Sequence, residues 1–121
     1  MKIITAAATL GLVRAALGAL AYLAPARFAT VGRMPGAATT GDGRYVTRLF
    51  GARDIVIGIM TMAESTRAEG LAVGAVCDLF DTLSAILARR DGKDSSWVVG
   101  SACATASFAV AGIALRKNVA P

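Results

Sequence analysis

The chain contains no histidine, and its two cysteines, Cys77 and Cys103, stand far apart. Without imidazole, the commonest proton shuttle and the usual zinc ligand are both missing. Isolated cysteines form neither a C-x-x-C redox pair nor a metal site, and both fall in apolar stretches that suit small packing residues. Aromatic residues are scarce at 6%, and proline occurs three times. Charged residues make up 17% of the 121 positions, below the roughly 25% of soluble domains. The net charge of +5 comes without a dense basic stripe or interleaved aromatics, so nucleic-acid binding is not expected.

What the chain has instead is long apolar runs. Hydrophobic residues reach 55%, and the mean hydropathy is +0.60. Four segments, residues 3–23, 45–63, 71–88 and 95–115, each have about the 17–25 residues needed to cross a hydrocarbon core of roughly 30 Å. Backbone groups in lipid must be satisfied within the segment, so each is expected to be a helix. The predicted fold is all-α: one domain, residues 1–121, forming an antiparallel four-helix transmembrane bundle. The N-terminus imitates a signal peptide, but Arg14 would lie inside its apolar region, so the segment is read as a retained first helix.

The connections are unequal. Residues 24–44 form a long first loop with Pro25, Pro35 and glycines at 32, 36, 41 and 43, while residues 64–70 and 89–94 suit tight turns. The long loop is read either as a solvated connector or as a lid that dips Phe28 and Val31 into the interface. Arg27, Arg33, Arg44, Arg89, Arg90 and Lys93 lie on one side, against Lys2, Arg67, Arg116 and Lys117 on the other. The positive-inside rule then places the long loop in the cytoplasm and both termini outside. An integral protein of a bacterial plasma membrane is expected, with the lipid bilayer as its surroundings and a homo-oligomer left open.

Six ionisable residues interrupt these segments: Arg14, Arg48, Arg53, Asp54, Asp78 and Asp81. All but Arg48 fall near mid-segment, where each costs roughly 2.5–3.5 kcal/mol on the translocon scale. Residues three or four apart share a helix face. Gly11, Arg14 and Gly18 therefore align, as do Gly51, Asp54 and Gly58, and Gly70, Gly74, Cys77 or Asp78, and Asp81. Small residues at that spacing let membrane helices approach closely, so the charges are expected to face inward and pair in one layer. Three carboxylates beside two guanidiniums leave one uncompensated charge. One carboxyl, Asp78 or Asp81, is therefore expected to hold a proton near neutral pH.

The segment Arg48-Leu49-Phe50-Gly51-Ala52-Arg53-Asp54, with Gly58 and then Asp78-x-x-Asp81, resembles the small membrane proteins grouped as domain of unknown function 4267. The likeness covers nearly the whole chain; it implies a four-helix integral membrane fold and supplies no activity. The chemistry must come from the charges. The favoured role is acid–base catalysis on a lipophilic small molecule, such as isomerisation, cyclisation or epoxide opening. Asp78, Asp81 and Asp54 would be the catalytic carboxylates, with Arg14, Arg53 and Arg48 binding substrate. No cofactor is expected. The Asp78-x-x-Asp81 spacing suits magnesium–diphosphate sites, but those need more carboxylates near headgroups, so no metal is expected either. The alternatives are proton-coupled transport of a small solute, or a non-catalytic assembly or lipid-binding subunit in which Arg–Asp pairs fix helix registry.

Overall fold

The computed structural model describes residues 2–32, 34, 39–92 and 96–119, leaving aside the side chains of residues 96 and 97. Arg33, Pro35, Gly36 and Lys93, which the sequence reading placed in connections, lie outside the described residues. All regular structure among the described residues is helical. Helix α1 spans Lys2–Leu23, α2 Pro25–Val31, α3 Gly41–Met62, α4 Arg67–Arg90 and α5 Ser96–Val119, with a 3-10 turn over Glu64–Thr66.

The boundaries follow from local chemistry. Pro25 has no N–H to continue α1, and it pushes Ala24 out of the helical region to φ −136° and ψ 65°. The same proline occupies the first turn of α2, where no N–H is needed. Thr40 caps α3, its hydroxyl accepting from the Gly43 amide at 2.9 Å, and Asp42 faces the positive end of the helix dipole. At the other end, the Thr66 hydroxyl donates to the Met60 carbonyl at 2.9 Å. Arg67 Nε donates to the Thr61 carbonyl at 3.1 Å, and its Nη2 to that of Met62 at 2.7 Å. Arg67 is buried, so one guanidinium satisfies two terminal carbonyls of α3 and pins the start of α4 to them.

These elements correct the sequence reading in several places. The long first loop is partly helical, because Pro25 starts α2 and Thr40 starts α3 four residues earlier than the apolar run suggested. Phe28 of α2 packs on Phe50 with ring centroids 5.7 Å apart, whereas Val31 is exposed. Helix α4 begins at Arg67, and α5 continues beyond residue 115 to Val119.

Two antiparallel pairs make up the molecule. Helices α1 and α3 meet through facing glycines: a Cβ on Gly11 would lie 2.7 Å from the Gly58 carbonyl oxygen, and one on Gly18 2.7 Å from that of Gly51. Side chains are excluded there, so the two backbones touch. Helices α4 and α5 pair along their length, with Gly112 against Leu71 and the Thr82 and Thr105 hydroxyls 2.7 Å apart. The pairs join at the α3–α4 hairpin, where Gly70 lets the α4 backbone reach Thr61. Every buried residue of α4 lies at or before Asp78.

The interior mixes small apolar residues with polar and charged ones, and much of the exterior is apolar. Arg14, Thr47, Asp54, Thr61, Arg67 and Asp78 are buried, while Leu12, Leu49, Val56, Leu79, Phe80 and Val110 are more than half exposed. This distribution inverts that of a water-soluble domain. Three stretches, Lys2–Leu23, Glu64–Arg90 and Val98–Val119, are long and apolar enough to cross a membrane. Helix α3 is as long as α1 but carries Asp42, Arg44, Arg48, Arg53 and Asp54, and is not among them.

Candidate functional site

On α1, Ala7, Gly11, Arg14, Gly18 and Ala21 form the buried face, so Arg14 projects from the same side as the glycines. On α3, Thr47, Gly51, Asp54, Gly58 and Thr61 do the same. Glycine contact brings the two backbones together, and Arg14 then reaches past α3 toward α4. Its Nη1 donates to Asp54 Oδ1 and to Asp78 Oδ1, both at 3.2 Å, and its Nη2 donates to Asp78 Oδ2. One guanidinium thereby joins three helices. Its other side lies over the Phe108 ring of α5, 5.2 Å from the centroid, a favourable position for a cation.

A second arginine continues the chain of charges. Arg53 Nη1 donates to Asp81 Oδ1 at 3.0 Å, and Nη2 donates to Asp81 Oδ2 at 2.7 Å, a bidentate fork between α3 and α4. The same Nη2 makes a long 3.4 Å bond to Asp54 Oδ1. The Phe50 ring lies 4.8 Å beneath the guanidinium. The result is a ladder of alternating sign in the order Asp78, Arg14, Asp54, Arg53, Asp81. It crosses the molecule at mid-length of α1, α3 and α4.

The two ends differ. At one end the Arg14 and Asp78 side chains are each 5% exposed. At the other, Arg53 and Asp81 are 30% and 25% exposed. Asp54, in the middle, is buried and receives both of its bonds on Oδ1 alone, whereas Asp78 and Asp81 each use both oxygens. Each fork is a complete one-to-one pair, so Asp54 is the carboxylate in excess of the arginines. The sequence reading expected the proton on Asp78 or Asp81, and had no means of knowing which carboxylates were forked.

Beside Arg14 lies a void of about 10 Å³, lined by Leu10, Thr61, Gly70, Gly74 and Gly112 among others, with room for about one water. A substrate does not fit there. Arg53 Nε is the one buried side-chain polar atom without a partner among the described residues.

Five of the six residues singled out from sequence therefore meet, and Arg48 does not. It precedes Asp54 by six residues, which turns it about 120° round α3, away from the ladder. It is exposed, and its Nε donates to the Tyr22 carbonyl at the end of α1, 3.2 Å away. The structure therefore places Arg48 apart from the other five residues. The residues that sequence reasoning missed are Phe50 and Phe108, which face the guanidiniums, and Arg67, read as a loop charge but buried as a helix cap. An arginine five residues past Met62, the end of α3, was the available signal for the last.

Compared with known proteins, the chain matches no family model, no curated protein and no solved structure, so the chemistry of the site is read from its geometry.

Proposed function

We propose that the chain is a four-span integral membrane protein that acts by acid–base chemistry on a lipophilic small molecule, with Asp81 as the proton-transferring group. The fourth crossing is α3. Its charges count against it in sum but not in direction: Asp54 faces inward and Arg53 reaches Asp81, while Val46, Leu49, Val56 and Ile59 form an apolar exterior. Asp42, Arg44 and Arg48 occupy the end that meets the close of α1, at headgroup depth.

The observation that carries the catalytic reading is the gradient of exposure along the ladder. A carboxylate sealed like Asp78 cannot meet a ligand, whereas Asp81 is reachable from the side of the bundle. Asp81 would take a proton from one carbon of the ligand and return it to another, leaving the protein unchanged. Arg53 fixes the carboxylate in place and offers positive charge to an oxygen that becomes negative as the proton leaves. Arg14, Asp54 and Asp78 are positioning residues that hold Arg53 and the helices in register. Chemistry of this class covers isomerisation, cyclisation and epoxide opening.

A second reading has its own support. The ladder is almost fully paired and the interior void has room for about one water, which suits a device that fixes helix order without chemistry. Comparison of lipid extracts from membranes carrying wild type or Asp81→Asn separates the two. The catalytic reading expects a product present only with wild type, at equal amounts of folded protein. Identical extracts at equal folded protein would leave the registry reading.

A further inference from the structure

Beyond the ladder, the α4–α5 pair carries a groove of about 160 Å³. It is lined by Ala85, Val98 and Ala102, with the half-exposed Ile86 and Val99 beside them. The lining is apolar apart from Arg89 and Cys103, and its volume matches about six carbons of a hydrocarbon chain. It opens one helical turn past the Thr82–Thr105 hydrogen bond and runs toward Arg89, which lines its far end. Asp81 and Arg89 are eight residues apart on one helix, about 12 Å along the axis. The α4 lining of the trough runs from Ala85 to Arg89, about 6 Å along the axis, so it lies within the last turn and a half of α4 with its inner end pointing toward the ladder.

Among the described residues, the charge at that end has no ion-pair partner. Arg89 and Arg90 are exposed in the final turn of α4, and neither forms an ion pair among the described residues. The nearby carboxylate, Asp91, is exposed and bonds through its backbone amide to the Leu87 carbonyl. An apolar trough ending on an unpaired guanidinium at headgroup depth is complementary to a molecule with a hydrocarbon tail and a negative head. The positive-inside count puts this end at the cytoplasmic leaflet, where anionic lipids concentrate.

We infer that this groove binds one anionic phospholipid, its phosphate at Arg89 and one acyl chain lying along Ala85 and Ala102 toward the ladder. The inference rests on the membrane placement proposed above and not on the acid–base chemistry. If the placement is wrong, the chain stays in solution without detergent, which is visible before any lipid is added.

The test is native mass spectrometry of the full chain in neutral detergent with dioleoyl phosphatidylglycerol or dioleoyl phosphatidylcholine. One phosphatidylglycerol per chain is retained, about fivefold more tightly than phosphatidylcholine, the preference that one basic residue near a headgroup provides. Arg89→Gln abolishes the preference, while Arg116→Gln at the opposite end of α5 leaves it intact. Glycerophosphoglycerol has the same head without acyl chains, and is retained no better than phosphatidylcholine. Equal retention of both dioleoyl lipids, an unchanged preference in Arg89→Gln, or retention of the chain-free head equal to that of dioleoyl phosphatidylglycerol would each overturn the site.

Discussion

Replacing each aspartate of the ladder by asparagine gives three nearly isosteric variants whose stabilities the geometry ranks. Asp54 receives both of its bonds on Oδ1, from Arg14 at 3.2 Å and from Arg53 at 3.4 Å. An asparagine amide oxygen at the same place accepts both, and its NH₂ falls where no arginine donor points. The substitution also brings the ladder to two positive and two negative groups. Asp54→Asn is therefore expected to cost less than about 1 kcal/mol, within the range of neutral hydrogen-bond exchange. Asp78 and Asp81 are different, because each is gripped on both oxygens. An asparagine there turns one arm of the fork into an N–H facing an N–H. Losing one charge-assisted hydrogen bond costs roughly 1.5–3 kcal/mol, with the larger value expected at the sealed Asp78 and the smaller at the partly open Asp81. Reversible unfolding in mixed micelles, titrated with SDS, gives the three free energies on one scale. A loss at Asp54→Asn equal to or greater than that at Asp78→Asn would refute both the forked geometry and the assignment of Asp54 as the surplus carboxylate.

Other outcomes follow from single observations. A Cβ at Gly58 would sit 2.6 Å from both the Ala15 nitrogen and the Gly11 carbonyl oxygen, so Gly58→Ala forces α1 and α3 apart and costs roughly 1–3 kcal/mol. Gly100→Ala meets nothing within 4 Å and serves as the tolerated control in the same unfolding assay. Arg67→Met keeps an unbranched apolar stem but strands the Thr61 and Met62 carbonyls, costing about 1–3 kcal/mol, and faster amide exchange at the α3–α4 turn should report it. Arg48→Gln removes an exposed charge outside the ladder and should change unfolding free energy by less than about 0.5 kcal/mol.

Much of this arrangement was legible in the sequence for physical reasons. An apolar run long enough to span lipid has few alternatives to a helix, and a charge placed in mid-run must find a partner. Glycine at three- and four-residue spacing beside Arg14 and Asp54 marked the faces along which α1 and α3 touch. Pairing partners were harder, because they depend on where an arginine fork ends after the backbones have packed. Asp81 lies one turn from Asp78 on α4, yet it meets a different arginine, and nothing in the spacing distinguishes them. Arg48 was read as lying nearer one end of its segment than the other five charges, and helical phase also turns it outward. The short helix α2 was missed because proline and glycine around it read as loop, while its stabilisation comes from burial of Pro25 and Ala29 and the stacking of Phe28 on Phe50. The groove on α4 and α5 was not legible, since it arises from alanines whose alignment requires both helices in register.

The proposed passage of α3 through the bilayer carries the whole account, because it would set the Arg/Asp ladder at mid-depth. Single cysteines introduced at positions 42, 56 and 65, after replacement of Cys77 and Cys103 by alanine, allow that passage to be measured with a membrane-impermeant maleimide in sealed, oriented vesicles. Positions 42 and 65 should label from opposite sides, and position 56, facing lipid beside the ladder, should not label from either. Labelling of 42 and 65 from the same side, or labelling of 56 from water, would contradict a membrane-spanning α3 and with it the mid-membrane site.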